Sequence, residues 1–121
     1  MRLLLLPLLS LGLLSAAPPT EEPSEAAMRA AFETTLTAQV RSAMDFVAES
    51  SGAEAVERIH QAGTDRFALS AFKKRDCLRD ATGHICDFAV DLTVVNGTIQ
   101  QTVRGRFLQG PNGRLTFAQE G

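Results

Sequence analysis

The chain has 121 residues, 45% of them hydrophobic and 21% charged, which is enough for one domain with a modest core. Its formal net charge of −2 argues against nucleic acid as the main partner, since phosphate backbones are bound by strongly basic surfaces. The sequence contains no phosphate-binding glycine loop, nucleophile elbow or metalloprotease helix motif, and it therefore predicts no catalytic residue and no cofactor.

The first 17 residues have the pattern of a secretory signal peptide. Arg2 precedes an apolar run over residues 3–14, and small residues follow at positions 15–17. The run is shorter than the roughly 20 residues that a membrane-spanning helix needs. Pro18 disfavours cleavage directly before it, so cleavage one residue earlier and an uncleaved anchor are the alternatives. The pattern predicts export to the periplasm or the medium, with membrane contact only through an uncleaved signal segment.

Two helices are predicted after a tether over residues 18–24. Ser24 can cap a long helix over residues 25–50. The apolar positions of this helix repeat every three or four residues and form one stripe: Met28, Ala31, Phe32, Leu36, Val40, Ala43, Met44 and Val47. A second, shorter helix is predicted over residues 53–62, and Gly63 ends it.

After Gly63 the apolar pattern changes from a helical to an alternating period. Strands are predicted over residues 65–78, 85–95, 98–108 and 114–119. Asn96-Gly97 favours a tight turn between the second and third strands, because both residues tolerate positive φ.

A two-residue turn at positions 96–97 predicts the register of that hairpin. Val94 would face Ile99, and Cys86 would face Phe107. Gly105 would lie opposite Phe88 and make room for an aromatic ring, such as that of Phe117. The other face of the hairpin is polar.

These elements predict an α+β fold over residues 25–121, in a single domain. The long N-terminal helix and the short second helix pack on a four-stranded antiparallel meander sheet. One face of the sheet is covered and the other is solvated.

Cys77 and Cys86 are the only cysteines and flank the first predicted hairpin turn. Directly opposed residues in an exported chain favour a disulfide. A redox centre more often has the spacing Cys-x-x-Cys at a helix start. A metal site could join both cysteines to His84, but a structural zinc site needs a fourth ligand, and His60 would have to come from the second helix.

The first strand has a conflict in its alternation. If Cys77 faces the core, strict alternation also turns Lys73 and Arg75 inward and Phe72 outward. Buried cations without partners are costly. A β-bulge between Phe72 and Cys77 would bring both onto the same face, and we predict one.

The sequence offers a few other candidate sites. The candidate binding surface is a group of four cations at the first hairpin, Lys73, Lys74, Arg75 and Arg79, which could meet an acidic partner, a glycan or an anionic lipid. A solvated strand end is the simpler explanation of this group. Asp91 could be a general base, although an ion pair with Arg104 explains it more simply. His60 and His84 are expected at the surface.

The order of the elements resembles the cystatin-like and NTF2-like group of small α+β folds, in which a curved sheet wraps a long helix. The run over residues 72–107 is also similar to small exported bacterial proteins of unknown function. Cystatins block cysteine proteases with a Gln-x-Val-x-Gly loop, and Gln101, Val103 and Gly105 have these residue types at this spacing, inside the third predicted strand. NTF2-like enzymes place acid–base residues in a cone-shaped pocket.

From these observations we expect an exported, non-enzymatic domain that binds a protein partner or a small ligand. The alternatives are a small NTF2-like enzyme, with Asp91 or a histidine as base, and an inhibitor of an envelope or secreted enzyme. A deep pocket between helix and sheet would favour the enzyme. A filled interior with an apolar surface patch would favour partner binding.

Overall fold

A computed structural model describes residues 21–120 and confirms the predicted α+β fold. The elements in chain order are α1 (Glu25–Ser51), α2 (Ala53–Ala62), β1 (Ala68–Arg79), β2 (His84–Val94), β3 (Gly97–Gln109) and β4 (Leu115–Gln119). The predicted signal peptide and the first residues of the predicted tether lie outside the described residues. None of the helices within residues 21–120 combines the length and hydrophobicity that a membrane crossing requires.

Local chemistry sets the ends of both helices. The Ser24 hydroxyl accepts the backbone N–H of Ala27 at 3.1 Å, which satisfies one of the free amides at the start of α1. Gly52 separates α1 from α2 with φ of 89°, and Gly63 ends α2 in the left-handed conformation. Both conformations favour glycine, because glycine has no Cβ atom that would clash with the backbone.

The sheet is an antiparallel meander in the order β1-β2-β3-β4. The predicted register between β2 and β3 is wrong by two residues: Val94 pairs with Gly97, and Cys86 pairs with Gly105. The turn consists of residues 95–96, and Gly97 is the first residue of β3 with φ of 137°. A shift of two residues leaves every side chain on its predicted face, so the alternation could not distinguish the two registers.

Both edge strands of the sheet are hydrogen bonded to side chains of α1. The Arg29 guanidinium donates to the backbone carbonyl of Leu69 in β1 at 2.6 Å. At the other edge, the Thr35 hydroxyl donates to the carbonyl of Phe117 in β4 at 3.3 Å. The sheet therefore wraps around the first half of α1, and backbone groups of β1 and β4 that would otherwise face open solvent are satisfied.

Aromatic rings fill the interior between α1 and the sheet. The ring centroid of Phe32 lies 5.0 Å from that of Phe88, 5.3 Å from Phe117 and 6.1 Å from Phe72. Met28 is fully buried beside them in the same core. Because each ring contacts several others, the core is a continuous packed cluster and not a cavity.

The bulge predicted in β1 is confirmed. The pairing of β1 with β2 shifts by one residue between Lys74 and Cys77, which leaves Phe72 buried and Cys77 packed against the same core. A second irregularity, which the sequence analysis missed, lies between Leu69 and Ala71.

Candidate functional site

A disulfide joins the first two strands at the point where alternation places their cysteines opposite each other. Cys77 pairs with Cys86 in the sheet register, and their Cα atoms are 4.0 Å apart. Cys86 is fully buried, and neither cysteine has a free thiol. Among residues 21–120, no group of three His, Cys, Asp or Glu side chains is placed to hold a metal ion. The cysteines thus act as a structural cross-link of the β1–β2 hairpin.

The four cations of the candidate binding surface do not share one face of the molecule. Lys74 points toward the start of α1, where its ammonium donates to the Pro23 carbonyl at 2.7 Å and lies 2.9 Å from the Glu22 carboxylate. Lys73 is exposed opposite Ala89, on the solvated face of the sheet. Ordinary strand alternation causes this division, because neighbouring residues of a strand point to opposite faces and the bulge follows Lys74.

The other two cations, Arg75 and Arg79, are also separated from each other. Arg75 lies near the carboxylate of Asp87 and helps to lower its pKa, although the hydrogen bond from Arg104 is the main cause. Arg79 is exposed at the end of the hairpin, opposite His84. Lys74 is thus turned toward α1, whereas Lys73, Arg75 and Arg79 are exposed.

The carboxylate of Asp80 organises the β1–β2 turn. It accepts the backbone N–H groups of Thr82 and Gly83, each at 3.0 Å, and a hydrogen bond from the Arg106 guanidinium. Arg106 is the main reason that the pKa of Asp80 lies far below its usual range, and the turn amides add to the effect. This network fixes the turn next to His84.

His84 is buried, and the prediction that it lies at the surface is wrong. Only 7% of its surface is accessible, since it shares the core face of β2 with Cys86 and pairs with Phe107. The alternation through Cys86 was the signal in the sequence that could have shown this. The imidazole makes no side-chain hydrogen bond within residues 21–120, and it lines a cavity of about 330 Å³ at the start of α1.

His60 is exposed, as expected, but it pairs with a carboxylate that the sequence analysis did not single out. His60 Nδ1 lies 3.1 Å from Oδ2 of Asp65, across the turn that follows α2. The hydrogen bond to His60 lowers the pKa of Asp65. The second oxygen of Asp65, Oδ1, is buried and has no hydrogen-bond partner in the described part of the chain.

Asp65 lies at one wall of an open groove of about 1010 Å³. We call it the α1 groove. One wall is the side of α1 that presents Ala30, Glu33, Thr34, Thr37, Ala38, Val40 and Arg41, and the other is residues 65–67.

The register of β2 and β3 changes one further sequence expectation, whereas the cystatin-like pattern lies in β3 as predicted. Arg104 pairs with Asp87 through two hydrogen bonds of 2.9 and 3.2 Å, so it is not the partner of Asp91. The cystatin-like residue pattern lies in the middle of β3, where Val103 and Gly105 are buried. That position leaves neither residue free to enter a protease cleft.

No protein-family model, no curated protein and no solved structure matches this chain.

Proposed function

We propose that this protein is an exported, non-enzymatic domain that binds a protein partner through the α1 groove. The observation that carries the proposal is the filled interior. The phenylalanine cluster occupies the space between α1 and the sheet, where a fold of this kind would need a deep pocket to enclose a substrate. The α1 groove is instead open and runs along the outside of α1.

The α1 groove has the properties of a contact surface for a segment of another protein. Ala30, Thr34 and Ala38 are small and exposed, so a partner can approach the helix closely. Phe67 supplies an apolar contact, and charges of both signs stand at the walls, in Glu33, Arg41, Asp65 and Arg66. An apolar centre with a polar rim is the usual anatomy of a protein–protein interface.

The proposal is tested by filling the groove. Ala38→Trp places a large side chain in it, whereas Gln39→Trp places the same side chain at the next, exposed position about 100° around the helix. A photo-reactive residue at position 37 should give a cross-linked partner in cells. The cross-link should disappear with Ala38→Trp and persist with Gln39→Trp. Equal cross-linking in both variants, or none in the unmodified protein, contradicts the proposal.

Export is supported by the secretory pattern of the first 17 residues and by the Cys77–Cys86 disulfide, which is typical of oxidising compartments. The test is the intact mass of the protein from the exported fraction, denatured and alkylated without reductant. We expect a mass that lacks the leader and carries no alkyl group. Recovery of the protein only in the cytosol, with two alkylated thiols, would contradict export.

The His60–Asp65 pair favours a second candidate function, an acid–base enzyme working at the α1 groove. The lowered pKa of Asp65 keeps its carboxylate ionised, so it can orient the imidazole as a general base. Under this hypothesis, His60→Gln and Asp65→Asn would each abolish hydrolysis of an activated ester by the exported protein. Identical rates in the wild type and both variants would exclude it.

A further inference from the structure

The cavity at the start of α1 has the features of a ligand site separate from the α1 groove, with which it shares no residue. It lies between the first turn of α1, the β1–β2 turn and the ends of β3 and β4. Its volume of about 330 Å³ falls at the lower end of the range for small-molecule sites in proteins.

We propose that this cavity binds a small uncharged molecule with an apolar body and one hydrogen-bonding head, such as a hydroxyl or an amide. The first support is His84. Only 7% of the surface of this residue is accessible, and the residue lines the cavity. The imidazole has two nitrogen atoms that can take part in hydrogen bonds. A polar head placed in the cavity could pair with one of them.

The second support is the apolar wall beside the imidazole. Phe107 is almost completely buried, and Leu115 is partly buried next to it. Pro23 and Ala27 add further apolar surface from the start of α1. A hydrogen-bonding group beside a hydrophobic wall fits an amphiphilic molecule and disfavours a fully polar one.

The charges around the cavity explain why the ligand is uncharged. The Glu22 carboxylate is paired with the Lys74 ammonium at 2.9 Å, and the Glu25 carboxylate accepts the backbone N–H of Lys74 at 2.8 Å. Glu21, which also lines the cavity, is negative, whereas the N-terminus of α1 is positive. Because these charges have opposite signs, we assign an uncharged ligand to the cavity.

The test compares two probes of similar shape, benzyl alcohol and ethylbenzene, in which a hydroxyl of the first replaces a methyl group of the second. Isotope-labelled protein from the exported fraction is titrated with each and followed by NMR. Benzyl alcohol should give saturable shifts at His84, Phe107 and Leu115. Its affinity should exceed that of ethylbenzene by about threefold to tenfold, the range of one net hydrogen bond.

The variant His84→Phe keeps the ring and removes both nitrogen atoms, so it should bind the two probes equally. Because the comparison of probes in the wild type does not depend on this variant, a misfolded variant leaves the test intact. Equal affinities in the wild type, or no saturable shift at the three residues, would overturn the proposal. Tighter binding of benzylamine or benzoate than of benzyl alcohol would overturn its statement that the ligand is uncharged.

Discussion

The ring of Phe117 in β4 lies directly over the backbone of Gly105 in β3, in the space that a Cβ atom at position 105 would occupy. This contact lets Phe117 reach Phe32 and Phe88 and closes the core on the β4 side. The glycine is therefore a packing requirement and not a turn residue. The room for Phe117 was predicted correctly, but Gly105 faces Cys86 and not Phe88.

Gly105→Ala should destabilise the protein by about 1 to 3 kcal/mol, the usual cost of overpacking a filled core. The added methyl would overlap the ring of Phe117, which is held by its neighbours. Urea denaturation measures the change. Gly110→Ala is the control, because its Cβ would meet only ordinary or slightly close contacts, the nearest at 3.4 Å. Similar stability of the two variants would show that the core can rearrange to accept a methyl group at position 105.

Two phenylalanines on α1 should respond very differently to truncation. Phe32→Ala removes the ring that touches three others and should cost about 3 to 5 kcal/mol. Phe46→Ala, on the same helix but 68% exposed, should change the free energy of unfolding by less than about 0.5 kcal/mol. The denaturation midpoints of the two variants measure these changes in stability. A large loss of stability with Phe46→Ala would mean that this residue is covered in solution.

The disulfide should contribute about 2 to 3 kcal/mol, because it closes a short loop with a sequence separation of 9. The double variant Cys77→Ala with Cys86→Ala should remain folded, since the phenylalanine core and the β1–β2 ladder do not depend on it. The contribution of the disulfide is measured by comparing free energies of unfolding. The double variant is compared with the wild type, and the wild type is measured with and without reductant. An unchanged midpoint in reductant would show that the bond adds no stability.

The carboxylate of Asp80 should make stability depend on pH in the acid range. Its pKa is lower in the folded state than in the unfolded chain, so it stabilises the fold above the unfolded value of about 3.9 and loses this contribution as the pH falls below that value. Asp80→Asn should therefore be less stable than the wild type at neutral pH, and the difference should shrink in acid.

Urea midpoints of the wild type and Asp80→Asn between neutral pH and about pH 3 measure this difference on either side of the unfolded pKa. Asp76→Asn is the matched control, because Asp76 is exposed and makes no side-chain hydrogen bond in the described chain. A stability difference that stays constant across this range would show that the ionisation of Asp80 is not coupled to folding.

Much of the architecture could be predicted from patterns with a fixed period. The three- and four-residue spacing through Met28 and Phe32 identified the buried side of α1, and the alternation through Cys86 and Phe88 identified that of β2. The bulge in β1 could be inferred as well, because Phe72 and Cys77 could not otherwise share a face. Each of these predictions rests on interactions between residues close in the chain or directly paired.

The sites could not be predicted in the same way, because they depend on contacts between distant segments. Lys74 belongs to a run of cations in the sequence, yet the packing of α1 on β1 turns it toward Glu22 and Pro23. His84 appeared to lie in an exposed turn, but the start of α1 and the start of β4 enclose it. Periodicity predicted which face of β2 and of the first half of α1 is buried. Only the tertiary structure decided which polar side chains those faces enclose, because burial of a polar group depends on what packs over it.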